Sequence, residues 1–172
     1  ASIQSALSAE ISAQTASRSS AGARAIDAMC LIATDRSFGK DIEAKECATA
    51  CFVKLAMSGE AGQRVLTESE RLPAVLTALI QLLSTQRAQL VQEQACFLLR
   101  SMTGWQSGLQ KEILAAGCLP PLLAVITRSW TSVSTRLVDQ AVGTIGNLTA
   151  HHVVAGALTE GGTTQALTLL LK

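Results

Sequence analysis

Cys118-Leu-Pro-Pro-Leu-Leu-Ala-Val-Ile126 repeats the pattern of Arg71-Leu-Pro-Ala-Val-Leu-Thr-Ala-Leu79, with Leu119 standing 47 residues after Leu72. In both stretches a proline follows the first leucine and aliphatic residues recur at helical spacing. Each therefore reads as the opening of a helix, where proline costs little because first-turn amides have no intrahelical acceptor. Gly117, just before the second stretch, supplies the backbone freedom for a sharp bend between a short preceding helix and this one.

A second pattern follows each of these openings. Glu93-Gln-Ala-Cys-Phe-Leu-Leu-Arg-Ser-Met102 matches Asp139-Gln-Ala-Val-Gly-Thr-Ile-Gly-Asn-Leu148 at an offset of 46, and Glu46-Cys-Ala-Thr-Ala-Cys-Phe-Val-Lys-Leu55 precedes it by 47. Leu158-Thr-Glu-Gly-Gly-Thr-Thr-Gln-Ala-Leu167 then restarts the cycle 44 residues after Leu114. A period of this length is the mark of stacked supersecondary units, none of which buries its apolar face alone.

Composition agrees with an all-α reading. Hydrophobic residues make up 48% of the 172-residue chain, but aromatics only 3%, so the core must be built from small and aliphatic side chains of close-packed helices. Strand-like alternation is absent. The net charge is +1, with 14 basic and 13 acidic residues interspersed, which leaves no basic stripe to track phosphates and argues against nucleic acid as a partner. The longest apolar run, around Leu119 to Ile126, is well short of the roughly 20 residues of a membrane span. Five cysteines without CxxC spacing or neighbouring histidines fit thiols of a cytoplasmic or nuclear protein better than a metal set. Residue 1 is Ala and the sequence stops inside the run Ala166 to Leu171, so both ends are read as cut from a longer protein.

Two motifs carry a family resemblance. Gly117-Cys-Leu-Pro-Pro-Leu-Leu123 resembles the GxLPPLLxLL opening of armadillo repeats, and Gln140-Ala-Val-Gly-Thr-Ile-Gly-Asn-Leu-Thr149 resembles their QAxxALxNLA third-helix signature. The resemblance is strong over residues 63–156, fair over 41–62 and weak before 40. It implies a right-handed α-solenoid of stacked three-helix repeats, with two-helix HEAT units the nearest alternative. The expected organisation is a preceding repeat end or terminal helix over 1–15, a degenerate repeat over 16–62, repeats over 63–110 and 111–156, and a truncated further repeat over 157–172. Segment 16–36 should hold the first two helices of the degenerate unit, with Ile26, Met29 and Ile32 inward. In the third helix of the middle unit, Leu90, Ala95, Leu98, Leu99 and Met102 should share the apolar side, with Gln92 and Arg100 nearer the edges or solvent.

In this family the third helices line a concave groove that binds extended peptides. Members that do so carry a Trp four residues before an Asn; here the Asn position holds Lys54, Ser101 and Asn147, and the Trp position Ala50, Phe97 and Gly143. No unit has the Trp–Asn pair, so the backbone clamp of the nuclear-import adaptors does not carry over. The resemblance implies instead a mixed row of Glu43, Cys47, Lys54, Gln94, Phe97, Ser101, Gln140 and Asn147 facing a protein partner. Its amides and hydroxyls can hydrogen-bond a partner and Phe97 can supply an apolar contact, or the polar members can simply solvate the face and bond neighbouring helices.

Other residues read more plainly. Trp105, placed after the third helix, should cap the adjacent hydrophobic layer, and Trp130 is a possible interface aromatic. Cys47 and Cys51, four apart, read as small buried thiols rather than half a metal site. The adjacent His151 and His152 fit a helix-end charge interaction, and Glu68 and Glu70 solvated charges between helices. Neither GxSxG, GxxxxGK[ST] nor HExxH occurs, and Asn147-Leu-Thr matches the glycosylation pattern inside a packed helix. The expected function is a non-catalytic interaction scaffold without cofactor, metal or small-molecule substrate. A structural docking component of a cytoskeletal or ciliary assembly is the alternative, and an import-type reader of basic peptides a weaker one.

Overall fold

The computed structural model describes residues 22–35, 37, 41–85, 88–106, 108–128 and 134–149. Trp130, His151, His152 and the segments 1–15 and 157–172 lie outside the described residues. Eight helices and no strand are present among the described residues: α1 over 22–34, α2 Ile42–Met57, α3 Glu60–Leu66, α4 Leu72–Leu83, α5 Gln89–Trp105, α6 Leu109–Ala115, α7 Leu119–Thr127 and α8 Thr135–Thr149. In the segment expected to hold two helices, the described part is the single helix α1.

Local chemistry sets the helix limits. The Asp41 carboxylate caps α2 by accepting the Ala44 N–H at 2.9 Å, with Glu43 in the first turn and Lys54 in the last, both favourable to the helix dipole. Gly59, at φ 89°, turns the chain from α2 into α3. Gly117, at φ 85°, does the same between α6 and α7, which meet at 76°, as the sequence required. Pro73 and Pro120 stand in the first turns of α4 and α7.

The long helices α2, α5 and α8 run side by side: α5 packs against α2 on one flank and, most broadly, against α8 on the other. Behind them α4 packs on α5 and reaches α7, and α7 packs on α8. The short helices α3 and α6 fold back on α2 and α5. Leu137, Val138, Ala141, Ile145 and Leu148 form the buried stripe of α8, and Val91, Ala95, Leu98, Leu99 and Met102 that of α5. Among the largest fully buried side chains Phe52 is the one aromatic, consistent with the scarcity of aromatics. Ile26 and Met29 are buried and Ile32 partly so.

Five expectations are corrected. Leu90 is exposed, because the α5 stripe is centred on Val91, Ala95 and Leu98, and one residue's rotation of about 100° carries Leu90 off it. Gln92 is completely buried rather than at the edge: its Nε2 donates to the Leu83 carbonyl at 2.7 Å, and its Oε1 accepts from Arg128 at 3.3 Å. Cys47 and Cys51 are exposed, since α2 buries Lys45, Ala48, Thr49, Phe52 and Ala56 and both thiols fall to one side of that stripe. Trp105 is the last residue of α5 rather than a loop residue, and it is partly buried against the core, in keeping with a capping role. Glu68 is not simply solvated either, because it pairs with Arg71 at the entry to α4.

Candidate functional site

Two cavities open where α2, α5 and α8 run together. The first, of about 350 Å³, has apolar walls from Val53 and Met57 of α2 and Leu90 and Phe97 of α5. Its polar lining is Glu93, Gln94, Arg136 and Gln140. The second, of about 370 Å³, is bounded by Phe97, Arg100, Ser101 and Gly104 of α5 and by Gln140 and Asn147 of α8. Phe97 and Gln140 line both, so the two cavities adjoin.

Of the expected row, Gln94, Phe97, Ser101, Gln140 and Asn147 are thus brought to one face by the packing of α5 on α8. Glu43, Cys47 and Lys54 are exposed on α2 and line neither cavity. Several of the polar groups are already engaged. The Ser101 hydroxyl donates to the Phe97 carbonyl at 2.8 Å, one turn back on its own helix. The Asn147 amide donates to Thr103 Oγ1 at 2.9 Å and to the Arg100 carbonyl at 3.3 Å, tying α8 to α5. Gln94 differs: its Oε1 is enclosed and has no hydrogen-bond donor among the described residues.

Sequence reading missed Arg100 and Gly143 as a pair. A Cβ built on Gly143 would lie 2.5 Å from the Arg100 guanidinium carbon, so the arginine lies across the glycine. Its Nη1 donates to Asp139 Oδ2 at 3.2 Å and to Gln140 Oε1 at 3.3 Å. Gly143, matched from the sequence to the Trp position of peptide-binding armadillo units, is thus covered by a cation from the preceding long helix. The signal was available in part: a glycine at that register needs something to fill the space above it. Met57, Leu90 and Arg136 were also missed, since each lies off the motif positions.

The electrostatics of this face are balanced pairwise. Arg136 faces Glu93 at 3.9 Å across α8 and α5, and Arg100 faces Asp139. No cluster of three or more His, Cys, Asp or Glu suited to a metal occurs among the described residues. The thiols of Cys30, Cys96 and Cys118 are pushed up to about 11, 12 and 12, chiefly by burial. Among the described residues no single helix is long and apolar enough to cross a membrane.

Residues 107–150, which span α6, α7 and α8, match the family model described as Armadillo/beta-catenin-like repeat. Comparison with the curated proteins and with the solved structures gives no match.

Proposed function

We propose, starting from a chain whose residues 107–150 match an armadillo-type repeat, that it is a non-catalytic scaffold holding a protein segment along the α2–α5–α8 face. Armadillo repeats in general mediate protein–protein interaction. In this reading α3–α4–α5 and α6–α7–α8 are consecutive three-helix units of a right-handed solenoid, α1–α2 close the unit before them, and the long helices form its concave side. Support comes from the contact order, in which each long helix packs on the next and each short helix on the long helix before it.

The observation that carries the proposal is the pair of adjoining cavities on that face, which share Phe97 and Gln140. Affinity capture with the wild-type chain beside a Phe97→Ala, Gln94→Ala variant tests it. Neither side chain is fully buried, so helicity by circular dichroism should be unchanged while captured proteins are lost. Unchanged capture by the folded variant would overturn the assignment.

A second reading, docking of the outer face within a large assembly, rests on a separate surface. Leu31 of α1 is 56% exposed beside Pro73, Ala74 and Thr77 of α4, at the rim of a cavity of about 490 Å³. Capture lost on Leu31→Ser, and kept by the Phe97→Ala, Gln94→Ala variant, would favour that docking role. Reading of basic peptides has the least support, because Arg100 covers Gly143 where an aromatic wall would stand.

A further inference from the structure

We infer that the segment held on this face is extended and uncharged, and that it anchors by a leucine- or methionine-sized side chain in the cavity between Met57, Leu90 and Phe97 and by a backbone N–H on Gln94. This rests on the scaffold reading and deepens it. Three observations converge. Met57 is 71% and Leu90 50% exposed, and these two large apolar side chains, from α2 and α5, line one cavity together with the Phe97 ring. A flexible thioether and an aromatic edge adapt readily to an incoming aliphatic chain, and a mostly apolar pocket with a few polar groups suits an anchor side chain.

The polar part of the cavity points to the occupant's backbone. Gln94 Oε1 is a carbonyl acceptor enclosed without a donor among the described residues. The terminal amide torsion of glutamine is soft, so a modest rotation presents that oxygen to an N–H in the cavity and satisfies it. Gln140 has already given its own Oε1 to Arg100. Of the two amide oxygens that line this cavity, Gln94 Oε1 is therefore the one without a donor among the described residues, suited to one peptide N–H beside the anchor residue.

The charges argue against an ionic occupant. Glu93 and Arg136 bring one charge of each sign to this cavity and face each other, and Arg100 beside it is held by Asp139. A lysine or glutamate side chain entering here would meet one charge of each sign, and so gain little net attraction to offset the hydration it gives up.

The test uses the whole chain with methyl-labelled Met and Leu, titrated by NMR with end-capped pentapeptides Ser-Gly-Xaa-Gly-Ser in which Xaa is Leu, Lys, Glu or N-methyl-Leu. The Leu peptide should shift the Met57 and Leu90 methyls saturably and leave Leu31 still, with affinity changing less than about twofold up to about 0.5 M salt. The Lys and Glu peptides should bind at least about tenfold more weakly. N-methylation should weaken binding by about tenfold in the wild-type chain and not in Gln94→Leu, as expected for one lost hydrogen bond. Met57→Ser with Leu90→Ser, both exposed and so compatible with folding, should also lose about tenfold. Methyls unmoved at millimolar Leu peptide, a salt-sensitive preference for the Lys peptide, or an equal N-methyl penalty in Gln94→Leu would each overturn the inference. If the anchor fails while Phe97→Ala, Gln94→Ala still abolishes protein capture, the scaffold reading survives it. If capture is indifferent too, both fall.

Discussion

A Cβ on Gly62 would lie 1.9 Å from the Leu55 carbonyl oxygen, which is backbone at the end of α2 and has nowhere to retreat. Gly62 is buried in α3, and its missing side chain is what lets that short helix fold back against α2. Gly146, in the exposed face of α8, has nothing within 4 Å of the same construction. The two glycines therefore respond to alanine with opposite sign. Gly62→Ala should cost about 2–4 kcal/mol, as a forced backbone shift in a packed site does. Gly146→Ala should gain about 0.5–1 kcal/mol from helix propensity alone. Urea unfolding followed by circular dichroism measures both, and equal effects would show that α3 does not pack on α2 this closely. Gly143→Ala belongs to a third class, because the atom it meets is the far end of Arg100, a side chain that can swing away. Its consequence is expected in binding at the α5–α8 face rather than in folding.

Between elements, the Gln92 side chain joins three helices from within the core. It rises from the first turn of α5, donates to the last carbonyl of α4 and accepts from Arg128 at the end of α7. Replacing it with leucine keeps the volume but leaves the Leu83 carbonyl without a donor among the described residues, which should cost about 1–3 kcal/mol. Arg128→Ala removes a 3.3 Å contact from a partly exposed residue, whose vacated space lets water reach Gln92 Oε1, and should cost less than about 1 kcal/mol. Thermal unfolding of the two single variants and the double variant checks the order, and a larger loss for Arg128→Ala would reverse the assignment of Gln92 as the anchor. The same residue marks the boundary of what the sequence made legible. Periodicity, the two Pro-bearing openings and Gly117 were enough to anticipate the helices of the repeat, and it was the armadillo resemblance that supplied the row in which Gln94, Phe97, Ser101, Gln140 and Asn147 share one face. They did not reveal that Gln92 is buried, because a polar residue's burial is decided by which orphan carbonyl another helix brings to it, and that is a tertiary fact. Nor could motif spacing show Cys47 and Cys51 exposed, since the stripe of α2 is set by the neighbours that cover Ala48 and Phe52. Arg100 over Gly143 is of the same kind: each residue is unremarkable in its own helix and acquires meaning only where α5 meets α8.

Across the whole molecule α5 is the hub, packing on α2, α4, α6 and α8, and the buried Cys96 lies within it. That placement makes the cysteines reporters of global opening. Cys47 and Cys51 are exposed, whereas Cys30, Cys96 and Cys118 are buried. At about pH 8 a thiol-disulfide reagent should label two thiols rapidly and the other three only as fast as the core opens, since attack requires an accessible thiolate. The same burial couples stability to alkaline pH. Cys96 is pushed up to about 12 by burial first, with the Cys118 and Glu93 charges adding to it, Cys118 to about 12 by burial, and Cys30 to about 11 by burial and then Asp27. Unfolded thiols ionise near 8.5, so above that pH the unfolded chain releases protons that the folded chain retains. The folded state is therefore favoured fully below about pH 8.5 and loses that advantage as pH rises toward about 11 and then 12. The chain contains no tyrosine, so no phenol titrates in this window to mask the slope. Urea midpoints measured from about pH 8 to 11 should fall in the wild-type chain, and less steeply in Cys96→Ala and in Cys118→Ala, whose lower starting stability reflects the small cavities left behind. A midpoint slope unchanged by either substitution would mean that these thiols are not sequestered in the folded core, and the rapid labelling of more than two thiols would say so independently.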